Sequence, residues 1–575
     1  MKITGKKLFV KALKEEGVEE VFAYPGGMIT DIMDEIHRNS DIRMILPRHE
    51  QALVHEAEGY ARESGKVGVC LVTSGPGSTN AVTAITDAYY DSIPLVVFTG
   101  QVSLNLIGNE AFQEVDIVGM TRGVTKYSVT VSRREDLGKI LKMAFYIART
   151  GRPGPVLIDL PKNIQNEVGD MDYPESVDIR GYKPNEGVHI GQLKKAYKLV
   201  KAAQRPLILA GGGINISGAN DLLDEFSRKM HIPVVTTVMG KGALRVDHPF
   251  YVGNSGMHGR YAANKAVSEC DVLFSIGTRF NDRITGDLNE FAPKAKIIHL
   301  DIDAASISRN VVVDVPIVAD AVLALEKMLE WVEPKDTSHW YKQILKWEEE
   351  HPLQMNRDRG MNAQMIFEGF NRVYKEDTTY VCDVGQHQMW AYQYLDMTKG
   401  KRIFTSGGLG TMGFAFPAAL GAKVASPNRQ IVCVNGDGGF QMNMQEMATA
   451  MVYQIPITIC LMNNHNLGMV RQFQTLFYGK RYSITDLTVA GGYNLFTGQE
   501  NAQDDKTYYP DFIKWSESYG VPAIRVTTEE EIIPALEKSK AITDRPVVIE
   551  FIISEEELVL PVVKGGNPMS RMILE

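Results

Sequence analysis

Asp437 sits between glycines in Gly436-Asp437-Gly438-Gly439, and 27 residues further on an apolar run ends in Asn463-Asn464. Residues 430–434 read as a strand, 442–453 as a helix and 456–462 as a second strand. A strand–helix–strand unit sets its two strands parallel and side by side. Asp437 and Asn464 then lie just past the carboxyl ends of neighbouring strands, where open α/β sheets bind ligands. One carboxylate oxygen, one amide oxygen and main-chain carbonyls are hard donors that suit Mg²⁺ or Ca²⁺. The flanking glycines leave room for a phosphate to approach N–H groups at a helix start. A metal beside a phosphate cradle predicts a diphosphate cofactor. The alternative is a plain Asp-Gly turn, and the amide pair at the matching strand end weighs against it.

Such residues need a scaffold that presents strand ends. Between Val21 and Asp159, apolar runs at 21–27, 68–77, 94–101 and 155–162 alternate with helical patterns, one of them stopped by Gly65. That alternation predicts a parallel sheet covered by helices. Residues 165–187 break all periodicity and read as a linker. A second unit begins near His189, with strand-like runs at 205–213, 233–239, 271–280 and 296–303. A charged connection with a helix inside it, 332–360, leads to a third unit with runs at 379–386, 402–408, 430–439, 456–464 and 546–553. The fold class expected is α/β, with three doubly wound parallel-sheet domains at 1–165, 188–330 and 360–555 and a tail at 556–575.

Composition narrows the function. Hydrophobic residues at 44% and charged residues at 23% are globular values, and a net charge of −9 leaves no basic footprint for nucleic acid. Cys70, Cys270, Cys382, Cys433 and Cys460 are far apart with no CxxC pair. This argues against a disulfide framework or a zinc site and for a reducing, cytoplasmic setting. The opening residues read as an amphipathic helix running into a strand, not as a signal peptide. The most apolar stretch, 407–422, is broken by Pro417 and several glycines and reads as a buried helix, so no membrane partner is expected.

Nine blocks occur in order: PRHEQ (47–51), TSGPGSTN (73–80), AFQE (111–114), GRPGPVLIDLPK (151–162), GMHG (256–259), GQHQMW (385–390), GGLGTMGF (407–414), GDGGF (436–440) and NNHNLGMV (463–470). The Gly-Asp-Gly and Asn-Asn pair is similar to the thiamine-diphosphate signature. Together the blocks closely resemble the acetolactate synthase (acetohydroxyacid synthase) catalytic-subunit family, over essentially the whole chain. The resemblance implies a thiamine-diphosphate-binding fold with a central FAD-binding-like, Rossmann-type domain. It implies Mg²⁺ held by Asp437, Asn464 and the main-chain carbonyl of Asn466. Gly385, Gln386, His387, Gly438, Gly439, Gly468 and Met469 would bind the diphosphate, and Gly410 and Met412 the aminopyrimidine. Glu50 would be the acid that activates the cofactor; read from its position alone, it could be an acid placed for a helix dipole. His49–Glu50 is not a zinc helix motif, because HExxH fails at Leu53. Gln113 would face the reacting carbon, with Phe112 and Lys162 lining the substrate channel.

The central unit resembles the family's FAD-binding region at Arg152, Gly211, Gly212, Met257, His258, Gly277, Arg279, Asp301, Ile302 and Asp320. Its glycine run is not GxGxxG, because Ile216 takes the last glycine's place. The flavin would be structural, since the reaction has no net redox change.

The chemistry implied is decarboxylation of pyruvate and transfer of the hydroxyethyl group to a second 2-ketoacid. Pyruvate as acceptor gives 2-acetolactate and 2-ketobutyrate gives 2-aceto-2-hydroxybutyrate, which begins valine, leucine and isoleucine synthesis. The resemblance also implies a homodimer or homotetramer, Glu50 of one subunit meeting Asp437 of another, and a separate regulatory subunit. A pyruvate oxidase, a 2-ketoacid decarboxylase and a catalytically silent thiamine-binding relative are the other readings; retained Glu50 and Gln113 argue against the last. Three features depart from the family pattern: Ser103 and Asn105 near the channel, Phe473 in place of a tryptophan beside Met469 in the second-substrate pocket, and extra residues at 488–509.

Overall fold

The computed structural model describes residues 2–358, 360–375, 377–488 and 509–575, with the backbone of 493–494 and 499–500. Three six-stranded sheets carry the chain. The first orders its strands Arg43–Ile45, Glu20–Ala23, Gly68–Val72, Leu95–Gln101, Val156–Pro161 and Tyr127–Thr130, all pairs parallel. The third orders Arg402–Thr405, Thr378–Cys382, Gln430–Gly436, Thr458–Asn463, Val547–Ile552 and Ala523–Val526, again all parallel. Numbered along the chain, both read 2-1-3-4-6-5, while the middle sheet reads 3-2-1-4-5-6, the order of dinucleotide-binding folds. The sequence showed a shared rhythm in the first and third units; their shared topology is visible only in the structure.

Each sheet is wound on both faces, as its strands dictate. Parallel strands buried on both sides read as continuous apolar runs. Along Gly68–Val72 and Leu95–Gln101, Val69, Leu71, Val96 and Phe98 enter one core, while Cys70, Val72, Leu95 and Val97 enter the other. Val432 and Val434 likewise face one core of the third sheet, and Ile431 and Cys433 the opposite one. The first and third units meet through backbone. Helix Glu50–Ser64 lies on helix Ala415–Ala425 so closely that a Cβ at Gly59 would be 1.9 Å from the Ala418 carbonyl oxygen. A Cβ at Gly421 would be 1.8 Å from that of Glu56.

Four details differ from the sequence reading. Val168–Asp170, inside the expected linker, pairs antiparallel with Lys2–Thr4. Only Ala415–Ala425 of the stretch 407–422 is helical; the part before it is a loop tied down by hydrogen bonds. The helix after Gln430–Gly436 starts at Asp437 itself and is broken by a 3₁₀ turn, Met444–Glu446. Helix Ser338–Glu350, read as part of a connection, puts Trp340 and Ile344 into the middle unit's core. The tail leaves the third sheet and crosses to the middle unit, where Val563 N–H donates to the Met257 carbonyl and Asp287 N–H to that of Asn567. The extra residues at 488–509 lie mostly outside the described residues.

Candidate active site

In the third sheet the strand order reverses between Thr378–Cys382 and Gln430–Gly436, which opens a crevice at their carboxyl ends. Asp437 follows the second of these strands and begins a helix, 2% exposed. Its Oδ2 is buried with no hydrogen-bond partner, and burial pushes its carboxyl up to about 7 against N–H groups of Gly438, Asp437 and His465. A divalent cation here would reverse that shift. Asn464 lies just past the end of neighbouring strand Thr458–Asn463; its Oδ1 accepts from Asn466 N–H and its Nδ2 donates to Gln386 Oε1 at 3.2 Å. The Asn466 side chain is committed to the Asn464 carbonyl and to Glu555, which suits a main-chain role at that position.

Gln386 and His387 open helix Gln386–Tyr394, and His387 Nε2 is a second buried atom without a partner. Burial pulls the imidazole down to about 3, so it stands neutral. Glycines make the cradle shallow. A Cβ at Gly468 would be 2.1 Å from Gln386 Oε1, at Gly438 2.6 Å from Leu467, and at Gly439 2.3 Å from Asp383 Oδ2. An orphaned carboxylate oxygen for a cation, an unpartnered imidazole nitrogen that can carry the proton and donate, a helix start and bare backbone fit a diphosphate with its metal.

A cavity of about 1290 Å³ runs from this crevice into the middle unit, roomier than the roughly 300–1,000 Å³ of drug-sized sites. From the third unit, Gly385, Gly410, Met412, Met469 and Phe473 line it. From the middle unit, Gly212, Met257, His258, Gly277, Arg279, Asp301, Ile302 and Asp320 line it, and Arg152 reaches in from the first. Gly211 does not. It is a packing residue, since its Cβ would lie 2.1 Å from the Gly277 carbonyl oxygen. That close approach of two loops at the middle sheet's reversal is what frees Gly212 and Gly213 to face the cavity. His258 Nδ1 and Thr278 Oγ1 are buried and unpartnered along this wall. Size, topology and polar wall suit a dinucleotide.

The remaining candidates gather on the first sheet. Glu50 begins its helix 8% exposed and accepts a 3.0 Å hydrogen bond from Asn80. Gln113 holds a left-handed φ of 60° with its backbone against Gly75, itself at φ 61°. Lys162 follows strand Val156–Pro161; its Nζ donates to the Gly27 carbonyl and pairs with Asp31 at 2.8 Å. Phe112 is 84% exposed. Among the described residues, no hydrogen bond or ion pair joins Glu50, Gln113 or Lys162 to the Asp437 cradle. Sequence reasoning gave no task to the cavity residues Tyr89–Ser92, which carry no recognisable spacing, or to Ser406–Leu409, of which Gly407–Leu409 were read only as part of the block 407–414.

Three family descriptions match in series: "Thiamine pyrophosphate enzyme, N-terminal TPP binding domain" over residues 3–120, the central domain over 193–328 and the C-terminal TPP binding domain over 383–551. An acetolactate synthase large subunit of Corynebacterium glutamicum is 44% identical over 99% of this chain and 90% of its own. One from Haemophilus influenzae is 43% identical over 100% of this chain and 98% of its own. The acetolactate synthase isozyme 3 large subunit of Escherichia coli is 42% identical over 100% and 98% respectively.

Proposed function

The chain belongs to the acetolactate synthase large-subunit family of thiamine pyrophosphate enzymes, and from that premise we propose that it joins pyruvate, after loss of CO₂, to a second pyruvate or to 2-ketobutyrate, giving 2-acetolactate or 2-aceto-2-hydroxybutyrate. The observation that carries this reading is the cradle at the third sheet's reversal, where Asp437 Oδ2 and His387 Nε2 lie buried without partners beside Gly468 and Asn464. When bound, thiamine diphosphate supplies the carbon that attacks the donor ketone and the ring that takes up the electron pair released with CO₂.

The protein's own groups do the rest. Asp437, Asn464 and the Asn466 carbonyl would hold Mg²⁺. Gln386, neutral His387 and the N–H groups around Gly438, Gly439 and Gly468 would hold the diphosphate. Gly410 would present main chain to the aminopyrimidine and Met412 would support that ring. Glu50 would supply the carboxyl that shares a proton with it, held by a 3.0 Å hydrogen bond from Asn80. Gln113, Phe112 and Lys162 would shape the channel, with Met469 and Phe473 against the acceptor. The resemblance to the family favours a homodimer or homotetramer with Glu50 supplied by a second copy. The cavity beside the cradle suits FAD in a structural role. The named relatives are large subunits, which favours a regulatory small-subunit partner. No helix among the described residues is long and apolar enough to cross a membrane, in keeping with a cytoplasmic enzyme.

Product analysis tests the function. Given pyruvate, thiamine diphosphate and Mg²⁺, the protein should form acetolactate. Acetate or acetyl phosphate would make it an oxidase and acetaldehyde a decarboxylase, while no turnover would mark a silent relative.

A further inference from the structure

The loop between strand Arg402–Thr405 and helix Ala415–Ala425 carries Gly410 and Met412, yet its first residues are fixed from another domain. Asp91, 4% exposed, ends helix Val82–Asp91 of the first unit. Its Oδ2 accepts from Gly407 N–H at 2.9 Å and its Oδ1 from Gly408 N–H at 2.7 Å. One turn earlier, Asp87 accepts from the hydroxyl of Ser406. That hydroxyl oxygen in turn accepts from Gly410 N–H at 3.0 Å and Thr411 N–H at 2.8 Å. Gly408 must be glycine to come this close, because a Cβ there would lie 2.8 Å from Asp91 Oδ1.

Asp91 sits where a helix should not want an acid, since a negative charge in the last turn opposes the helix dipole. Asp87, one turn back, is fully buried, and burial pushes its carboxyl well above the usual carboxylate range, so both groups are costly there unless hydrogen-bonded. The cost is offset locally. Arg62 lies 2.8 Å from Asp91 and 3.7 Å from Glu58, and Glu58 is 3.0 Å from His55, whose ring is 3.9 Å from Asp87. Three of these groups put one donor atom each within 4.8 Å of the others, an arrangement that could hold a cation. The Arg62 guanidinium already supplies that charge, so the cluster reads as an anchor and not as a metal site.

We propose that Asp91, and Asp87 acting through Ser406, are positioning residues that set the height and tilt of the Ser406–Gly413 loop, so that the first domain of a chain aligns the ring-holding loop of that chain's own third domain. This inference rests on the reading of Gly410 and Met412 as the residues that hold the aminopyrimidine. It assigns the buried acids a task that packing alone would not require, since an apolar pair would fill the same space without burying polar groups.

The experiment uses the full-length protein saturated with thiamine diphosphate and Mg²⁺, and reads hydrogen–deuterium exchange at the cofactor's reactive carbon. Cofactor affinity and the thermal midpoint are measured alongside. Ser406→Ala and Asp91→Asn should slow exchange by about ten- to a hundredfold, the penalty of a slight misalignment. Their diphosphate affinity should stay within about threefold, because the cradle is untouched. Ile85→Ala, which thins the apolar face of the same helix, should lower the thermal midpoint and leave exchange unchanged. Wild-type exchange in both loop variants overturns the inference, as does an equal slowing in Ile85→Ala. Met412→Ala separates the two ideas. If it slows exchange while Ser406→Ala and Asp91→Asn do not, the positioning role fails alone. If it too exchanges like the wild type, the reading of the loop fails first.

Discussion

Adding a single methyl group at Gly468 should uncouple the metal and diphosphate ligands from each other. Gly468 starts helix Gly468–Phe477, and its φ is not left-handed, so alanine is compatible with the backbone. Helix propensity would even favour it by roughly 1 kcal/mol. The obstacle is steric: the new Cβ would lie 2.1 Å from Gln386 Oε1 and 2.6 Å from Asn464 Nδ2. Neither side chain can swing freely. Gln386 donates to Gln472 Oε1 at 3.0 Å and to the Glu557 carbonyl at 2.8 Å while accepting from Asn464. Overpacking of this kind costs about 1–3 kcal/mol, and loss of the Asn464–Gln386 hydrogen bond costs about 1 more. Net of propensity, about 1–3 kcal/mol falls on the two ligands, which is about 5- to 150-fold in cofactor affinity. The assay is a calorimetric titration of thiamine diphosphate at saturating Mg²⁺, with Gly187→Ala as control because nothing lies within 4 Å of a Cβ there. Wild-type affinity in a folded Gly468→Ala protein would refute the claim that this knot of side chains is the cofactor cradle.

Three more outcomes are expected. Glu50→Gln should bind thiamine diphosphate and Mg²⁺ normally while turnover falls by at least about a hundredfold, in line with loss of an acid–base group; normal turnover would remove Glu50 from the mechanism. Phe473 offers less apolar surface than a tryptophan, and a methylene contact is worth about 1–3 kcal/mol, so Phe473→Trp should raise the preference for 2-ketobutyrate several-fold; product ratios with both acceptors present decide it, and an unaltered ratio would move attention to residues 488–509. Burial holds His299 down to about 4, so the folded state binds fewer protons than the unfolded one between about pH 4 and 6.5, and stability present at neutral pH is lost as pH falls. Going from pH 7 to 5 should cost about 2 kcal/mol through this one residue, whose folded value is about 4; His299→Gln should flatten the stability slope by about one proton across that window, and an unchanged slope would contradict it.

The sequence made the strand–helix–strand unit at 430–463 legible because buried parallel strands must be apolar runs and the crossover fixes their spacing. Edge strands were legible only in part. Arg402–Thr405 was read within the run 402–408, but Tyr127–Thr130 and Ala523–Val526 are only partly buried and carry mixed residues, so they leave no run to read. The anchors of the cofactor loop were hidden for a different reason. Ser406 and Gly407 meet Asp87 and Asp91 across more than 300 residues of chain, and neither acid sits in a periodic or motif-like context. Asp383 was quoted within a strand run but given no task. In the structure its carboxylate accepts from Gly413 N–H and from main chain at the start of helix Ala415–Ala425, fixing the other end of the same loop. Gly211, matched by the sequence to a binding motif, also serves the close approach of two loops, a packing duty that no motif announces.

The first and third sheets share one topology, so the difference in their duties must come from their turns. In both, the third strand leads into a helix at the reversal of strand order. In the third sheet that turn is Asp437-Gly438-Gly439, with a buried carboxylate oxygen left free and successive N–H groups at a helix start. In the first sheet it is Gly75-Pro76-Gly77. Pro76 begins the helix without an N–H to give, and Gly75 is closed off by Gln113, whose Cβ would be 2.9 Å from a Cβ built on Gly75. A phosphate is therefore welcome at one reversal and not at the other. The second strands show the complementary pattern. Arg43–Ile45 leads to Glu50, and Arg402–Thr405 leads to the loop of Gly410 and Met412. Under the proposed mechanism both exits address the aminopyrimidine ring, one with an acid and one with main chain.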